Sequence, residues 1–290
     1  MSKGLLKLLF LGLITSQIYC QENYETILFT GHAFGSHSSD DKSLDPVFLE
    51  HLNKNSKNYN EIILGGDFLY NCEDSVEFEN FLTFYNKYNP RLVIGGHDIC
   101  DKVFKILDYN LNRFKQVNDT LLFYLNTSID STNEVYYLYN FINKNISIKK
   151  PKNIIIFTHQ LIYSTSDWNI RVNSRGFYNY GNMLYDKIYS KYYKSDIDFN
   201  FVSGDIGAFP YTPHSYYHNT ENFNFYASGI GNNKHYKAVL VEIGDNTRIN
   251  FLDLRSNTIE RKTKYSKFNV QIYQFPKLFL SRIKDVLYGF

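Results

Sequence analysis

Five short clusters with histidine or aspartate, four of them with glycine, follow apolar, strand-like segments of this chain. Their chemistry-bearing side chains are His32, Asp67, His97 with Asp98, His159, and Asp205. Because glycine lets the backbone turn tightly, each of these four clusters can end its strand in a sharp loop. Carboxylate oxygens suit hard divalent cations, and borderline ions such as Zn²⁺ or Mn²⁺ also accept imidazole nitrogen. Side chains of this kind, gathered from several loops, predict a site for a divalent metal.

The segments between these clusters alternate between strand-like and helix-like patterns. Strands are predicted over 26–30, 61–64, 92–94, 121–124, 153–157, 199–203, 223–227, 236–242 and 247–254. Helices are predicted after the cap residues Asp45, Asp74 or Ser75, and Ser131, and over 180–193. This alternation indicates an α/β protein with a largely parallel, buried sheet and an antiparallel part near its end. In such proteins the loops that follow the strands gather at one edge, where sites are placed.

Composition limits the classes of partner. The chain has 290 residues, 43% of them hydrophobic, and a net charge of +2. The hydrophobic content excludes a disordered chain, and the small net charge gives no reason to expect nucleic acid as a specific partner.

The first twenty residues read as an export signal. Lys3 and Lys7 precede a short apolar run, residues 8–14, and cleavage is predicted after Cys20. The run is shorter than the roughly 20 residues that span a bilayer. We therefore predict that 1–20 is a signal peptide and that the protein is periplasmic or extracellular. An uncleaved anchor and a lipoprotein are the alternatives.

Three segments follow from these patterns. Residues 1–20 are the signal peptide, 21–262 form one α/β domain, and 263–290 form a C-terminal extension. The extension reads as a basic amphipathic helix, which either docks on the domain or makes peripheral contact with a membrane.

The order of the clusters resembles the motifs of the calcineurin-like metallophosphoesterases, from about residue 26 to residue 254. The matching blocks are Gly65-Gly66-Asp67, Gly95-Gly96-His97-Asp98, Thr158-His159 and Ser203-Gly204-Asp205-Ile206-Gly207. The resemblance implies two packed mixed β-sheets flanked by helices, a four-layer αββα sandwich. It also implies one or two divalent ions (Mn, Zn or Fe) and hydrolysis of phosphoesters by a metal-activated water.

The same resemblance assigns roles to single residues. Asp67 would bridge two metal ions, and His159 would bind one of them. His97 would protonate the leaving group, and Asp98 would orient His97.

This chain departs from the family at several metal-binding positions. Gly31 and Ala33 stand where the family has Asp and His. Gly96 replaces a metal-binding Asn, and Asp205 and Gly207 replace two His. The two-metal site of the family therefore does not carry over unchanged.

Other side chains are candidates for the missing contacts. Asp205 offers a carboxylate oxygen, and His32 or His37 offers imidazole, although an unaltered turn would point His32 elsewhere. Arg171 and Arg175 are candidates for binding the substrate phosphate by bidentate hydrogen bonds, and exposed salt bridges are the alternative.

Each site candidate also has an ordinary structural alternative. Asp67 or Asp205 could cap a turn, His97 and Asp98 could form a local pair, and His159 could be a satisfied core histidine.

The family's strand order would place two cysteines side by side. Cys72 follows Asp67 closely, and Cys100 follows Asp98 closely. If their strands are neighbours, as in the family, a disulfide would join the two loops. The alternatives are two separate buried thiols or a thiolate metal ligand.

Residues 31–35, 172–176 and 204–207 also resemble a divergent, exported bacterial subgroup described from polysaccharide-related gene neighbourhoods. The sequence therefore supports two alternative functions. The first function is metal-dependent hydrolysis of a small-molecule or glycan-linked phosphoester. The second is a catalytically inactive protein of the same fold, which serves as a binding or assembly factor in cell-surface polysaccharide metabolism.

Overall fold

The computed structural model describes residues 24–34, 43–128, 131–162, 178–207, 215–230, 236–260 and 262. The predicted signal peptide, the C-terminal extension, His37, Arg171 and Arg175 lie outside these residues. Within the described ranges, no helix has the length and apolar character needed to cross a membrane.

The described chain alternates between strands and helices. The strands are β1 (Glu25–Thr30), β2 (Glu61–Gly65), β3 (Arg91–Val93), β4 (Arg113–Val117), β5 (Thr120–Tyr124), β6 (Asn153–Thr158), β7 (Asp198–Ser203), β8 (Ser215–Thr220), β9 (Phe223–Ser228), β10 (Lys237–Ile243), β11 (Thr247–Asp253) and β12 (Thr258–Glu260). The α-helices are α1 (Pro46–Asn55), α2 (Ser75–Tyr88), α3 (Asp101–Ile106), α4 (Thr132–Lys149) and α5 (Tyr178–Tyr192). Short 3₁₀ turns cover Ser56–Asn58 and Gly96–Asp98.

The strands form two six-stranded mixed sheets. The first has the order β12-β11-β10-β1-β2-β3, and the second has the order β4-β5-β6-β7-β9-β8. Parallel pairs join β1, β2 and β3 in the first sheet. Parallel pairs also join β5, β6, β7 and β9 in the second sheet. The remaining pairs are antiparallel. The carboxyl ends of the parallel strands therefore offer loops from both sheets.

Alternating side chains of each strand serve two different cores. Along β1, Ile27 and Phe29 pack between the two sheets, where the Phe29 ring stacks on Phe157 with centroids 5.6 Å apart. Leu28 points the other way and packs in the cluster that contains Phe48 of α1. The second sheet similarly packs against α4 and α5. The four layers confirm the predicted fold class of two packed mixed sheets flanked by helices.

Local capping explains where the helices begin. The Asp45 carboxylate accepts hydrogen bonds from the backbone N–H groups of Val47 and Phe48, and Pro46 occupies the first turn of α1. Asp74 caps α2 in the same way, and the side chain of Ser131 caps α4. These cap residues are the predicted ones.

Four elements were missing from the sequence prediction. They are β4, β8, β12 and the short helix α3. All three strands lie at an edge of their sheet. An edge strand pairs on one side only, so its sequence carries a weaker apolar pattern than that of a central strand.

Candidate metal site

Loops from both sheets bring four buried side chains together. His32 follows β1 and Asp67 follows β2 in the first sheet, whereas His159 follows β6 and Asp205 follows β7 in the second. Their exposed fractions are 2%, 6%, 1% and 1%, respectively. Titratable groups this deeply buried need partners of opposite charge or a bound cation.

Each carboxylate of this cluster faces both imidazoles. Asp67 Oδ2 lies 3.3 Å from His159 Nε2 and 3.6 Å from His32 Nδ1. Asp205 Oδ1 lies 3.8 Å from His159 Nε2 and 3.6 Å from His32 Nε2. One ligand atom from each of His32, Asp67 and His159 lies within 4.8 Å of the other two. Two oxygens and two imidazoles thus converge in one small volume.

A backbone carbonyl fixes the orientation of His159. Its Nδ1 lies 2.9 Å from the carbonyl oxygen of Gly65, which can only accept, so Nδ1 carries a proton. The other nitrogen, Nε2, then points at Asp67 and Asp205. A bare lone pair facing two carboxylates would be unfavourable, so Nε2 requires a proton or a metal ion. Metal-binding histidines are typically oriented by such a second hydrogen bond.

Without a metal, the charges of the cluster stabilise one another. Burial disfavours the charged form of His159, but the carboxylates of Asp67 and Asp205 outweigh it and raise the pKa of the imidazole to about 10. Burial likewise disfavours the Asp67 carboxylate, yet His159 and His32 hold its pKa below the ordinary value. A proton on Nε2 therefore occupies the position that a metal ion would take.

The donor set fits one divalent ion. Two ligands about 2.1 Å from a tetrahedral ion are separated by about 3.4 Å. Asp67 Oδ2 lies 3.3 Å from His159 Nε2 and 3.6 Å from His32 Nδ1, which is close to this separation and longer than an ordinary hydrogen bond. Asp205 faces the other ring nitrogen of His32, so the group of three ligand atoms consists of His32, Asp67 and His159. Two carboxylates also balance the charge of one divalent cation when both imidazoles are neutral. This mixture of nitrogen and oxygen ligands suits Zn²⁺, Mn²⁺ or Fe²⁺.

Two site residues adopt a left-handed backbone conformation. The φ angles are +49° at His32 and +48° at Asp67. Such angles are uncommon for residues other than glycine and cluster at functional sites. Hydrogen bonds hold both turns, because the His32 N–H donates to the backbone oxygen of Gly66 (3.0 Å) and the Asp67 N–H donates to the side-chain Oδ2 of Asp98 (2.7 Å). The altered turn at His32 explains how its ring reaches the cluster, although Gly31 and Ala33 depart from the family motif.

Asp98 organises the backbone of the site. Its Oδ2 accepts from the N–H groups of Asp67 (2.7 Å) and Gly95 (2.8 Å), and its Oδ1 accepts from those of Phe68 and Leu69 (both 3.1 Å). Burial and the charge of Asp67 raise the pKa of Asp98, whereas four converging N–H donors favour the carboxylate. These hydrogen bonds tie the loop after β2 to the loop after β3. The role of Asp98 in orienting His97 stays a prediction.

His97 lies at the exposed rim of the site. Its backbone N–H donates to Asp67 Oδ1 (3.1 Å), and its Nδ1 lies 2.8 Å from the carbonyl oxygen of Tyr70. Its ring stacks on the Tyr70 ring at 5.4 Å and contacts Phe34 at 6.1 Å. The carbonyl contact places a proton on Nδ1. Sequence reasoning missed Tyr70, which carries no motif, and it included Phe34 in the 31–35 segment without giving its side chain a role.

Cys72 and Cys100 form a disulfide in the structure, with Cα atoms 6.3 Å apart. Cys72 lies in the loop after β2, and Cys100 caps α3 after β3. The two loops that carry Asp67 and His97 are therefore joined covalently. The other grouping of potential metal ligands among the described residues consists of these two cysteines with Glu73.

The structure thus gathers His32, Asp67, His159 and Asp205, and it places His97 and Asp98 beside them. The two predicted substrate residues, Arg171 and Arg175, lie outside the described ranges.

Comparisons with known proteins support the fold alone. No family model matches the sequence, and no curated protein matches it. The structure is similar to GAP50, the anchor in the inner membrane complex of Plasmodium, with a TM-score of 0.52 and 13% identity over 86% of this chain and 93% of that chain. A conserved uncharacterised protein of Streptococcus pneumoniae TIGR4, a predicted phosphoesterase, has a TM-score of 0.38 and 11% identity over 82% and 93% of the two chains.

Proposed function

We propose that this protein is a metal-dependent hydrolase of phosphoesters. The observation that carries the proposal is the cluster of His32, Asp67 and His159, whose ligand atoms lie within 4.8 Å of one another in a buried position. The loops that hold the cluster come from both sheets, so the whole fold fixes its geometry. Buried groups with opposed charges at such a loop edge are typical of functional sites.

Asp67, His159 and His32 would hold the metal, with Asp205 as a fourth ligand. A divalent ion there would lower the pKa of a bound water from about 15.7 towards 7 and supply the nucleophile. The Gly65 carbonyl keeps His159 in the tautomer whose Nε2 can bind. The His97 N–H holds Asp67 Oδ1, which leaves Asp67 Oδ2 facing the imidazoles.

His97 would act on the leaving group. Its ring lies at the exposed rim, and the Tyr70 carbonyl and ring hold it in place. When protonated, His97 can donate from Nε2 to the departing oxygen. A positioned acid of this kind contributes roughly 10²- to 10⁴-fold to a rate.

One bound ion suits this chain better than two. The family positions that would complete a second site are occupied by Gly31, Ala33, Gly96 and Gly207, none of which offers a side-chain ligand. We therefore propose a single Mn, Zn or Fe ion.

An assay of the purified protein with a chromogenic phosphodiester and added Mn²⁺ tests the proposal. Asp67→Asn should remove both activity and bound metal. His97→Asn should keep the metal but lose roughly 10²- to 10⁴-fold in kcat. Full turnover by Asp67→Asn would show that the site has been misassigned.

A second candidate is an assembly protein that has kept the fold without the chemistry. Two observations favour it: the altered ligand positions, and the likeness in fold to GAP50, an anchor in a membrane complex. In this case the buried imidazole of His159 would stay protonated and pair with Asp67 and Asp205 as a structural ion pair. Such a protein would bind no metal at micromolar concentration, and the Asp67→Asn change would lower its stability only.

We also propose that the protein is exported through its N-terminal segment. Lys3, Lys7 and the apolar run that follows motivate this proposal. Mass spectrometry of the protein from its source should find a chain that begins at Gln21. A chain that begins at Met1 would contradict it.

A further inference from the structure

A cavity lies at the end of the strands β2 and β3 that is opposite to the candidate metal site. It has a volume of about 500 Å³. Glu61 and Arg91, which begin β2 and β3, line it together with Arg113, which begins β4. Asp67 and His97 lie beyond the other ends of β2 and β3, so the two sites are separated by the length of the sheet. The volume is in the range of small-molecule sites.

The lining of this cavity is rich in cations. Lys57, Lys87, Arg91, Arg113 and Lys115 all line it, whereas Glu61 is its one carboxylate. Lys57 and Lys87 lie in the last turns of helical segments, where they offset the partial negative charge of the helix ends.

Most of the remaining charges are already paired. Arg91 Nε donates to Glu61 Oε1 at 2.5 Å, and Lys115 Nζ lies 3.5 Å from Glu61 Oε2. Lys115 also lies 2.6 Å from Glu25 Oε1. Two cations and two carboxylates therefore balance one another.

Arg113 is left with excess charge. Its Nη2 donates to the carbonyl oxygen of Leu92 at 3.3 Å. Its Nε is buried and has no hydrogen-bond partner, and no carboxylate in the described part of the chain forms an ion pair with its guanidinium. Burial and the neighbouring Arg91 lower the pKa of Arg113 and outweigh the opposite effect of Glu61. A half-buried guanidinium without a counter-ion is costly unless an anion completes the site.

We propose that this cavity binds a small phosphate-bearing anion, with Arg113 as its main contact. Nε is enclosed and one N–H of Nη2 is held by Leu92 O, so the guanidinium can bind two oxygens of one phosphate through its remaining Nη1 and Nη2 N–H groups. Lys87 at the exposed rim adds positive charge, and Tyr85 and Tyr88 supply the apolar part of the lining. This anion site does not depend on the proposed hydrolase activity, because it shares no residue with the candidate metal site.

Calorimetric titration of the full chain with pyrophosphate, at fixed ionic strength and with EDTA present, tests the proposal. EDTA removes metal from the first site, so binding there does not contribute. The unaltered protein should bind one pyrophosphate, and Arg113→Gln should weaken binding at least tenfold. Lys144→Gln removes the same charge from an exposed position on α4 and should change binding less than twofold. Asp67→Asn should also leave the affinity for pyrophosphate unchanged.

Equal affinities for the Arg113→Gln and Lys144→Gln variants would overturn the proposal, as would the lack of saturable binding at millimolar pyrophosphate. If Arg113→Gln does not fold, as judged by circular dichroism, the Arg113→Lys variant is used for the test in its place. It keeps the charge but loses the two-pronged contact, so binding should weaken at least threefold. Affinity equal to that of the unaltered protein would overturn the proposal.

Discussion

The backbone N–H of His97 donates a hydrogen bond to Oδ1 of Asp67 at 3.1 Å, across two loops that follow neighbouring strands. This bond fixes which oxygen of Asp67 faces the imidazoles. The loop that carries His97 therefore shapes the candidate metal site, although the side chain of His97 is not one of the proposed metal ligands.

Two adjacent glycines provide a matched test of that arrangement. A Cβ atom on Gly95 would lie 2.2 Å from Asp67 Oδ1, whereas one on Gly96 would meet nothing within 4 Å. We predict that Gly95→Ala displaces Asp67 and weakens metal binding at least tenfold. Gly96→Ala should bind metal like the unaltered protein. Zinc titration with a competing chromophoric chelator measures both, and equal affinities in the two variants would contradict the described loop packing.

We predict that Asp98 contributes mainly to the stability of the protein. Both of its oxygens accept from backbone N–H groups, four in all. Asp98→Asn replaces one accepting oxygen by an NH₂ group and leaves buried N–H donors unsatisfied. The expected loss is about 2–5 kcal/mol in the free energy of unfolding. Urea unfolding measures it, and a loss below about 0.5 kcal/mol would show that Asp98 does not hold the loops together.

Reduction of the disulfide should loosen the same pair of loops. Cys72 and Cys100 are 28 residues apart in the sequence. On the chain-entropy model, a cross-link over a loop of this length stabilises a protein by about 3–4 kcal/mol. The Cys72→Ser, Cys100→Ser double variant should show this loss in urea unfolding, and added reductant should reproduce it in the unaltered protein. Identical unfolding midpoints with and without reductant would contradict the prediction.

We predict that His51, which lies on α1, makes a contribution to stability that is lost in acid. Its Nδ1 lies 2.9 Å from Leu254 O and its Nε2 lies 2.7 Å from the Tyr59 hydroxyl, so the neutral ring is fully bonded. Burial lowers the pKa of His51. Below about pH 6.5 the unfolded chain binds a proton that the folded chain does not, so His51 contributes less stability as the pH falls.

His51→Asn keeps a donor for Leu254 O but cannot titrate. The difference in unfolding midpoint between the unaltered protein and this variant should be largest above pH 7 and should shrink towards pH 5. Tyr59→Phe removes a neighbouring hydroxyl while leaving the titration in place, so its difference should vary less with pH. A constant difference for His51→Asn would contradict the assigned pKa direction.

The sequence predicted the central strands because they are apolar on both faces. In β6, for example, residues 154–157 are apolar and all buried, and a continuous run of this kind is recognisable. The first four residues of the missed strand β4 alternate between half-buried and exposed, and β12 has no buried residue. Those edge strands form because a neighbouring strand offers free N–H and C=O groups, a tertiary effect that local patterns do not record.

The residues of the site were predictable, but their arrangement was not. Motif order pointed to Asp67 and His159, and the rule that strand-end loops gather at one edge gave their neighbourhood. The position of the His32 ring depends on a left-handed backbone angle of +49°. The hydrogen bonds of Asp98 depend on how the loops pack. Neither feature follows from residue type or spacing.

The most direct test of the account is the metal content of the purified protein and of its Asp67→Asn variant, measured by inductively coupled plasma mass spectrometry. Both proteins are dialysed against micromolar Mn²⁺, Zn²⁺ and Fe²⁺, and circular dichroism confirms that both are folded. The account predicts one equivalent of metal in the unaltered protein and less than a tenth of an equivalent in the variant. Folded protein without metal in both samples would contradict it and leave the buried cluster as a structural ion-pair network.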